Sequence, residues 1–134
     1  MVKNSLHYED WLLKAKHDLK AAQGIFRYYK NPPTDTVCYH CHQVGEKSLK
    51  AFLVYKRVSF PKIHDLVTLL NLCLLKDKAL KNLKESVNIL NGYYVEVKYP
   101  ADMPIEYSKE EARQAIKYAE LVFKRICKKL KSED

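Results

Sequence analysis

The chain has 134 residues, of which 47% are hydrophobic and 30% are charged, a balance that suits one packed domain and argues against disorder. With only 3 Gly and 5 Pro, the composition excludes a many-turned β-sandwich, a Gly-rich nucleotide loop and a fibrous repeat. Lys and Arg outnumber Asp and Glu by 24 to 16, so the domain is basic, with a formal charge of +8.

The distribution of charge and cysteine predicts a cytoplasmic protein. Charged residues recur every few positions in the first twenty residues, which argues against a secretory signal. The longest apolar stretch, residues 66–75, is interrupted by Thr68 and Asn71 and is shorter than the roughly 18 residues of a membrane span. Without a signal segment, the 4 cysteines are expected to be reduced thiols.

Apolar residues recur at spacings of three and four in the first half of the chain, which predicts two long helices. The first spans about 7–29 and ends before Pro32 and Pro33, because proline removes a backbone donor. The second spans about 34–56, and we expect Thr34 or Asp35 to cap it.

Two further helical segments follow. The third opens at His64 or Asp65, bends near Asp77 and stops at Asn91-Gly92, because both of these residues tolerate a positive φ angle. Residues 93–107 lack a helical period, although Val95 and Val97 alternate as in a strand, and we interpret them as an ordered connection. The last helix runs to about residue 131 after a capping box formed by Ser108 and Glu111.

These segments predict an all-α fold for a single domain covering residues 1–134. Short connections favour an up-and-down antiparallel bundle of four long helices, or of five where the third is split. The apolar stripes are broad, which leaves room for a dimer interface.

Four sequence segments, taken in order, resemble one family. Trp11, Ala15, Asp18-Leu19 and Ala21 are similar to its opening helix, and residues 38–51 (CYHCHQVGEKSLKA) to its CFHAQQAAEKALKA segment. Residues 63–66 (IHDL) resemble its helix-opening H-D-L element, and Tyr94 with residues 98–102 (KYPAD) its Y…RYPD connection. On these residues the chain resembles HEPN domains (higher eukaryotes and prokaryotes nucleotide-binding).

Three positions depart from the family pattern. His42 replaces a usual Gln, Gly45 a usual Ala, and Lys98 a usual Arg. Lysine keeps the positive charge at position 98 but lacks the planar fork that binds a phosphate through two hydrogen bonds.

The resemblance implies a dimeric helical bundle, often paired with a small nucleotidyltransferase in a two-component, toxin–antitoxin-like system. Its active members are metal-independent ribonucleases with an Arg-(four to six residues)-His motif, in a site shared across the dimer. Other members bind nucleotides or serve as partners. The resemblance also implies that Lys98 and Tyr99 contact nucleotide or RNA.

We therefore predict a homodimeric HEPN-type protein that binds nucleotide or RNA and has a small nucleotidyltransferase as its partner. The alternative is a catalytically active, metal-independent ribonuclease that uses Arg57 and His64. A nucleotide-binding module without catalysis is a third hypothesis. None of the three requires a metal or another cofactor.

Arg57 and His64 are separated by six residues, as the ribonuclease motif requires. Histidine can accept the proton of a ribose 2′-hydroxyl, and arginine can stabilise the charge that develops on the phosphate. With 4 Arg and 5 His in the chain, roughly 0.45 such spacings are expected by chance. Pro61 lies between the two residues, so they cannot stack on one helix.

A cluster of sulfur and imidazole side chains on the second helix invites a zinc hypothesis: Cys38, His40, Cys41 and His42. Three of them share a helix face, but structural zinc sites usually need a second pair of ligands elsewhere in the chain, and Cys73 and Cys127 stand alone. Buried thiols in a helical core are the favoured interpretation, and no metal site is predicted.

Three polar groups admit two interpretations each. Gln43, Glu46, Lys47 and Lys50 follow helical spacing, with Glu46–Lys50 as an i,i+4 ion pair, and fit a solvated face or a partner groove. The basic residues near the C-terminus suit the helix dipole or RNA phosphates. The tyrosines near residues 93–107 cover the bundle end or stack on bases. The basic residues are Lys124, Arg125, Lys128, Lys129 and Lys131, and the tyrosines are Tyr93, Tyr94, Tyr99 and Tyr107.

Overall fold

The computed structural model describes residues 7–94 and 106–132, and these residues form α-helices with no strand among them. The prediction of an all-α bundle is confirmed, with the third segment divided into two helices at Asp77. A 3₁₀ segment (Lys78–Leu83) joins those two helices. The helices are α1 (Tyr8–Tyr28), α2 (Thr34–Tyr55), α3 (Leu66–Lys76), α4 (Lys84–Asn91) and α5 (Lys109–Ser132).

The central helix of the bundle is α2, which packs against α1, α3, α4 and α5. The α1 and α5 helices run antiparallel, since Gln23 Nε2 lies 2.7 Å from Glu120 Oε2 while Lys109 Nζ donates to the Lys30 carbonyl at 3.1 Å. Fully buried side chains of α2 supply much of the core, among them Val37, Val44, Leu49, Phe52 and Leu53. No helix in the described ranges is long and apolar enough to cross a membrane.

Aspartate side chains begin both parts of the split third segment. Asp65 is the N-cap of α3 and accepts a hydrogen bond from Thr68 N at 2.9 Å. Asp77 ends α3, and its carboxylate accepts from Ala79 N at 3.0 Å to start the 3₁₀ segment. The predicted start at Asp65 and the predicted break at Asp77 are therefore confirmed.

One predicted helix end differs from the structure, and another lies where it was predicted. The N-cap of α2 is Pro33, so Thr34 and Asp35 already belong to the first turn and the predicted cap is wrong. At the end of α4, Gly92 has φ −74°, so the helix stops at the predicted place without a left-handed residue. The backbone turns there through hydrogen bonds from Gly92 N and Tyr93 N to the last carbonyls of α4.

Half of the predicted capping box at α5 is present. The Ser108 hydroxyl accepts from Glu111 N at 2.9 Å, as predicted. The Glu111 carboxylate accepts instead from the Tyr93 hydroxyl at 2.8 Å, which links the end of α4 to the start of α5. Val95 and Val97 lie outside the described residues.

The start of α3 lies beside the middle of α2, because glycine occupies position 45. A Cβ atom there would lie 3.1 Å from Leu66 Cδ1 and 3.4 Å from Leu90 Cδ1. Glycine inside a helix costs about 1 kcal/mol relative to alanine. The close approach of α3 and α4 to α2 explains its presence where related segments have alanine.

Replacement by alanine should lower the stability of the protein at Ser108 but not at Ser48. Ser108→Ala removes a helix cap and should lower the free energy of unfolding by about 1 kcal/mol. The Ser48 hydroxyl is buried and has no hydrogen-bond partner among the described residues, so Ser48→Ala should cause no loss. Urea unfolding of both variants measures the difference, and a larger loss for Ser48→Ala would contradict this account.

Candidate functional site

A buried carboxylate on α2, that of Glu46, is the centre of the candidate site. Only 4% of Glu46 is exposed, and its Oε2 atom accepts a hydrogen bond from Lys50 Nζ at 2.8 Å. Its two oxygens lie 3.0 and 3.1 Å from Nδ1 of His64, which belongs to the connection between α2 and α3. The sequence-predicted i,i+4 pair is therefore present, but the predicted solvated face is wrong for Glu46 and Lys50, because both are buried.

These contacts keep Glu46 ionised. Burial alone would raise the pKa of the carboxyl, but hydrogen bonds from Lys50 and His64 outweigh that effect and hold its pKa below the ordinary value. The site therefore contains a buried carboxylate. One of its oxygens accepts a hydrogen bond from the Lys50 ammonium, and both oxygens face the His64 imidazole.

The imidazole of His64 is held at Nδ1, and its other nitrogen makes no hydrogen bond to any residue that the structure describes. A carboxylate can only accept, so His64 Nδ1 carries the hydrogen, and in the neutral ring Nε2 keeps its lone pair. The His64 side chain is 49% exposed, which leaves the ring accessible from solvent. Tyr94 stacks on the same ring, with centroids 4.8 Å apart and planes 13° apart. The arrangement suits a general base.

The backbone of His64 is anchored by another histidine, His42. The His42 ring is fully buried, and its Nε2 donates to the His64 carbonyl at 3.1 Å. The Gln43 side-chain amide lies 3.1 Å from the other ring nitrogen. Burial lowers the pKa of His42, so the ring is a neutral structural group.

Arg57 has an unusual backbone conformation. It follows the C-cap of α2 with φ 61°, a left-handed value at which an L-residue with a Cβ atom is strained. The bonds Val58 N to Leu53 O (2.9 Å) and Arg57 N to Val54 O (3.0 Å) form a Schellman motif, in which this position is usually glycine. An arginine kept at such a position suggests a use for its side chain, which is exposed.

The structure does not bring Arg57 and His64 together by a direct contact. Among the described residues, no hydrogen bond or ion pair joins the Arg57 guanidinium to the His64 ring. His64 lies beside Glu46, whereas Arg57 follows the end of α2, about 15 Å further along the helix axis. The connection between them runs back along α2, where Glu46 holds the His64 ring.

The four side chains of the zinc hypothesis are separated by the fold. Cys38 and Cys41 are buried, and burial raises the pKa of both thiols, that of Cys38 to about 12, which disfavours the thiolate a metal needs. His40 faces Asp18 at 2.8 Å and His42 faces the His64 carbonyl. In the described part of the chain no group of three or more His, Cys, Asp and Glu side chains is arranged to hold a metal ion.

A second carboxylate cluster joins α1 to α2. The Asp18 carboxylate accepts from Lys47 Nζ at 2.6 Å and lies 2.8 Å from His40 Nδ1. Hydrogen bonds from His40 and Lys47 hold the pKa of Asp18 below its ordinary value, although burial opposes them. Lys47 is therefore ion-paired across helices and is not on a freely solvated face.

The remaining candidates divide between structural roles and the undescribed region. Lys98 and Tyr99 lie outside the described residues. Tyr93 packs edge-on against Tyr107 with centroids 5.0 Å apart, which covers the bundle end as one interpretation proposed. Lys129 pairs with Asp77 at 2.8 Å and ties α5 to the break after α3.

Sequence reasoning missed the groups that surround the candidate base. Glu46 and Lys50 were assigned to a solvated face or a partner groove, and Tyr94 to the bundle end or to stacking on bases. A usable signal was that Glu46 and Lys50 share a helix face with Leu49 and Leu53, at spacings of three and four residues. The contacts of His64 with Glu46 and Tyr94 span distant parts of the chain, and spacing alone does not show them.

The fold and this site define a class of protein, a small helical bundle with an accessible, carboxylate-held histidine. The chain belongs to the HEPN domain family, whose model matches residues 8–130. A crystal structure of ST0689, described as an archaeal HEPN homologue, is similar, with a TM-score of 0.73 and 20% identity over 92% of this chain and 98% of that one. The crystal structure of TT1696 from Thermus thermophilus is similar with a TM-score of 0.69 and 25% identity over 91% and 97%. None of the curated proteins compared with the chain matches it significantly.

Substitution of Arg57 should separate backbone strain from side-chain function. Arg57→Gly removes the Cβ atom at a left-handed residue and should raise the free energy of unfolding by about 1 kcal/mol. Arg57→Ala is the matched control, since it removes the guanidinium but keeps the Cβ, and should give no such gain. Urea unfolding measures both, and equal stability of the two variants would contradict strain at this position.

Proposed function

We propose that this HEPN protein is a metal-independent ribonuclease in which His64 is the general base and Arg57 stabilises the phosphate. The observation that carries the proposal is the half-exposed His64 ring, held at Nδ1 by the buried Glu46 carboxylate. A histidine fixed in this way keeps the lone pair of Nε2, and a substrate hydroxyl can reach its half-exposed ring.

The reaction follows from these groups. His64 Nε2 takes the proton of a ribose 2′-hydroxyl, whose oxygen then forms a bond to the adjacent phosphorus. The bond from phosphorus to the 5′-oxygen breaks, and the leaving oxygen takes a proton from water. The products are a 2′,3′-cyclic phosphate and a 5′-hydroxyl end. The Arg57 guanidinium donates to the non-bridging oxygens, where negative charge accumulates.

The separation of Arg57 from His64 supports a site completed by two chains. About 15 Å of α2 lie between Glu46, which holds the His64 ring, and the helix end that Arg57 follows. In the homodimer that we propose, Arg57 of one chain acts with His64 of the other. Both residues are exposed, as a shared cleft requires. A nucleotidyltransferase partner stays a prediction from the family resemblance, and this chain would be the ribonuclease half of such a pair.

Cleavage of a structured RNA in EDTA tests the activity. We expect the wild-type chain to cut and to leave cyclic phosphate ends, with His64→Ala and Arg57→Ala slower by at least about 100-fold. His17→Ala, which removes an exposed histidine of α1, is the control and should cut normally. Absence of cleavage by the wild type, or normal rates in both site variants, would refute the assignment.

Mixed dimers test the sharing of the site. When His64→Ala and Arg57→Ala chains are co-expressed, each heterodimer contains one complete site if the residues act across the interface. Statistical mixing then restores about a quarter of the wild-type activity. If both residues act within one chain, no mixed dimer has a complete site, so activity at the level of the separate variants would contradict the shared site.

A further inference from the structure

Lysines of two neighbouring helices share one surface of the bundle. On α5, Lys124, Lys128 and Lys131 follow one another at spacings of four and three residues, so they lie on one side of that helix. On α1, Lys16 and Lys20 are about one helical turn apart. All of these side chains are exposed. We call these five residues the lysine face.

Contacts between the two helices place the α1 lysines beside those of α5. Gln23 Nε2 of α1 lies 2.7 Å from Glu120 Oε2 of α5, so the helices touch at that level. Further along the pair, burial raises the pKa of the Cys127 thiol, and the charges of Lys131 and Lys16 act against that rise. Lys16 therefore lies within electrostatic reach of α5, and the other lysine of α1 lies between these two points.

The positive charge of the lysine face is not balanced within the described part of the chain. No carboxylate there forms an ion pair with any of its lysines, and the acidic side chains closest to the face have other partners. Glu120 accepts from Gln23, and Asp77 pairs with Lys129 at 2.8 Å, so Lys129 is not part of the face. Like charges at neighbouring positions repel one another, and the surface therefore attracts an external anion.

An open cleft of about 450 Å³ lies on α5 within the lysine face. It is lined by Phe123, Lys124, Cys127, Lys128 and Lys131. The phenylalanine and the cysteine are partly buried and give the cleft an apolar floor, whereas the exposed lysines give it a cationic rim. Surfaces that bind single-stranded nucleic acid combine these features, because cations attract the phosphates while an aromatic ring accepts the face of any base.

We propose that the lysine face binds the phosphate backbone of single-stranded RNA through charge, independently of base sequence. This inference rests on the proposed function, since the bound strand is the substrate of that reaction, and it names the surface that holds the strand. Lysine acts as a mobile point charge, whereas arginine presents a planar fork for one fixed phosphate. A face built only of lysine therefore suits phosphates in any register along the strand.

Two other occupants fit this surface less well. Lysine is depleted in protein–protein interfaces, where arginine and aromatic residues are enriched, so a protein partner is disfavoured. A second copy of the chain would bring the same lysines to a two-fold interface, where like charges would face one another.

The lysine face contributes to binding and not to the chemical step. Among the described residues, none of its lysines shares a hydrogen bond or an ion pair with Glu46, His64 or Arg57. Its loss should therefore weaken the hold on the strand and leave the reacting groups unchanged.

Equilibrium binding tests the proposal with a probe that the chain cannot cut. The probe is a fluorescein-labelled single-stranded RNA of mixed sequence with 2′-O-methyl groups, which lack the hydroxyl proton that the proposed reaction removes. The α5 variant combines Lys124→Gln, Lys128→Gln and Lys131→Gln. Each phosphate contact on a single strand contributes about 0.7 to the slope of log K against log salt, so the slope should become less steep by about 2. Fluorescence anisotropy should show an affinity about 100-fold lower at about 0.1 M salt.

Two further variants separate the lysine face from folding and from net charge. The α1 variant, Lys16→Gln with Lys20→Gln, leaves α5 intact and should reduce the slope by about 1, so damage to one helix cannot explain both results. The control variant makes the same change of net charge as the α5 variant, at three exposed lysines of the 3₁₀ segment and α4: Lys78→Gln, Lys81→Gln and Lys84→Gln. It should bind the probe within about twofold of the wild type, because salt screens charges that do not contact the strand.

The comparison of these variants decides the proposal. Wild-type binding by the α5 variant, or an equal loss in the control variant, overturns it. Tighter binding of a poly-glutamate peptide of the same charge than of the RNA also overturns it, in favour of an acidic protein partner. In cleavage assays the α5 variant should have a raised KM and an unchanged kcat, and a loss confined to kcat contradicts a binding role.

The binding and cleavage measurements fail independently. A chain that binds the probe through the lysine face but cuts no RNA refutes the proposed function alone. Cleavage by the wild type, together with normal probe binding by the α5 variant, refutes this inference alone.

Discussion

The buried charge of Glu46 is the constraint on which the site and its surroundings depend. A carboxylate that is almost fully buried is tolerated only when ion pairs and hydrogen bonds replace its lost hydration. Here the replacements come from Lys50 one helical turn away and from His64 on the following connection. Those two groups are in turn covered by Trp11 of α1, Phe60 of the connection and Tyr94 after α4. Packing around this charge therefore also builds the candidate base.

The same constraint explains why α3 begins where it does. His64 reaches Glu46 only if the connection doubles back along α2, and two backbone contacts hold it there. His42 donates to the His64 carbonyl, and Asn91 of α4 accepts from Leu66 N while it donates to Asp65. Gly45 permits the close approach of Leu66. His42 and Gly45, two departures from the family pattern, thus both contact the start of α3.

Helical periodicity predicted the bundle well, because the helices depend on the local spacing of apolar residues and end or begin at proline, asparagine and aspartate. Residue spacing also singled out Arg57 and His64. The remaining parts of the site lie beyond such patterns: the Glu46–Lys50 pair looks like any surface pair until Trp11 and Phe60, from separate segments, cover it. The cap of α2 was mispredicted, because Pro33 occupies the N-cap position and carries no side chain that can cap the helix. The end of α4 was predicted correctly at Asn91-Gly92, although Gly92 keeps a helical φ angle there.

Two unfavourable features, at Arg57 in the connection between α2 and α3 and at Glu46 within α2, both concern groups of the proposed reaction. Arg57 has a Cβ atom at a left-handed position where glycine would be unstrained. Glu46 places a charge in the core, where an apolar side chain would cost less free energy of desolvation. Neither improves packing, because the Arg57 side chain is exposed and the Glu46 charge needs polar partners to be tolerated at all. Stability alone gives no reason for either residue. In the proposed reaction both have a use, since one supplies an exposed cation and the other orients an imidazole.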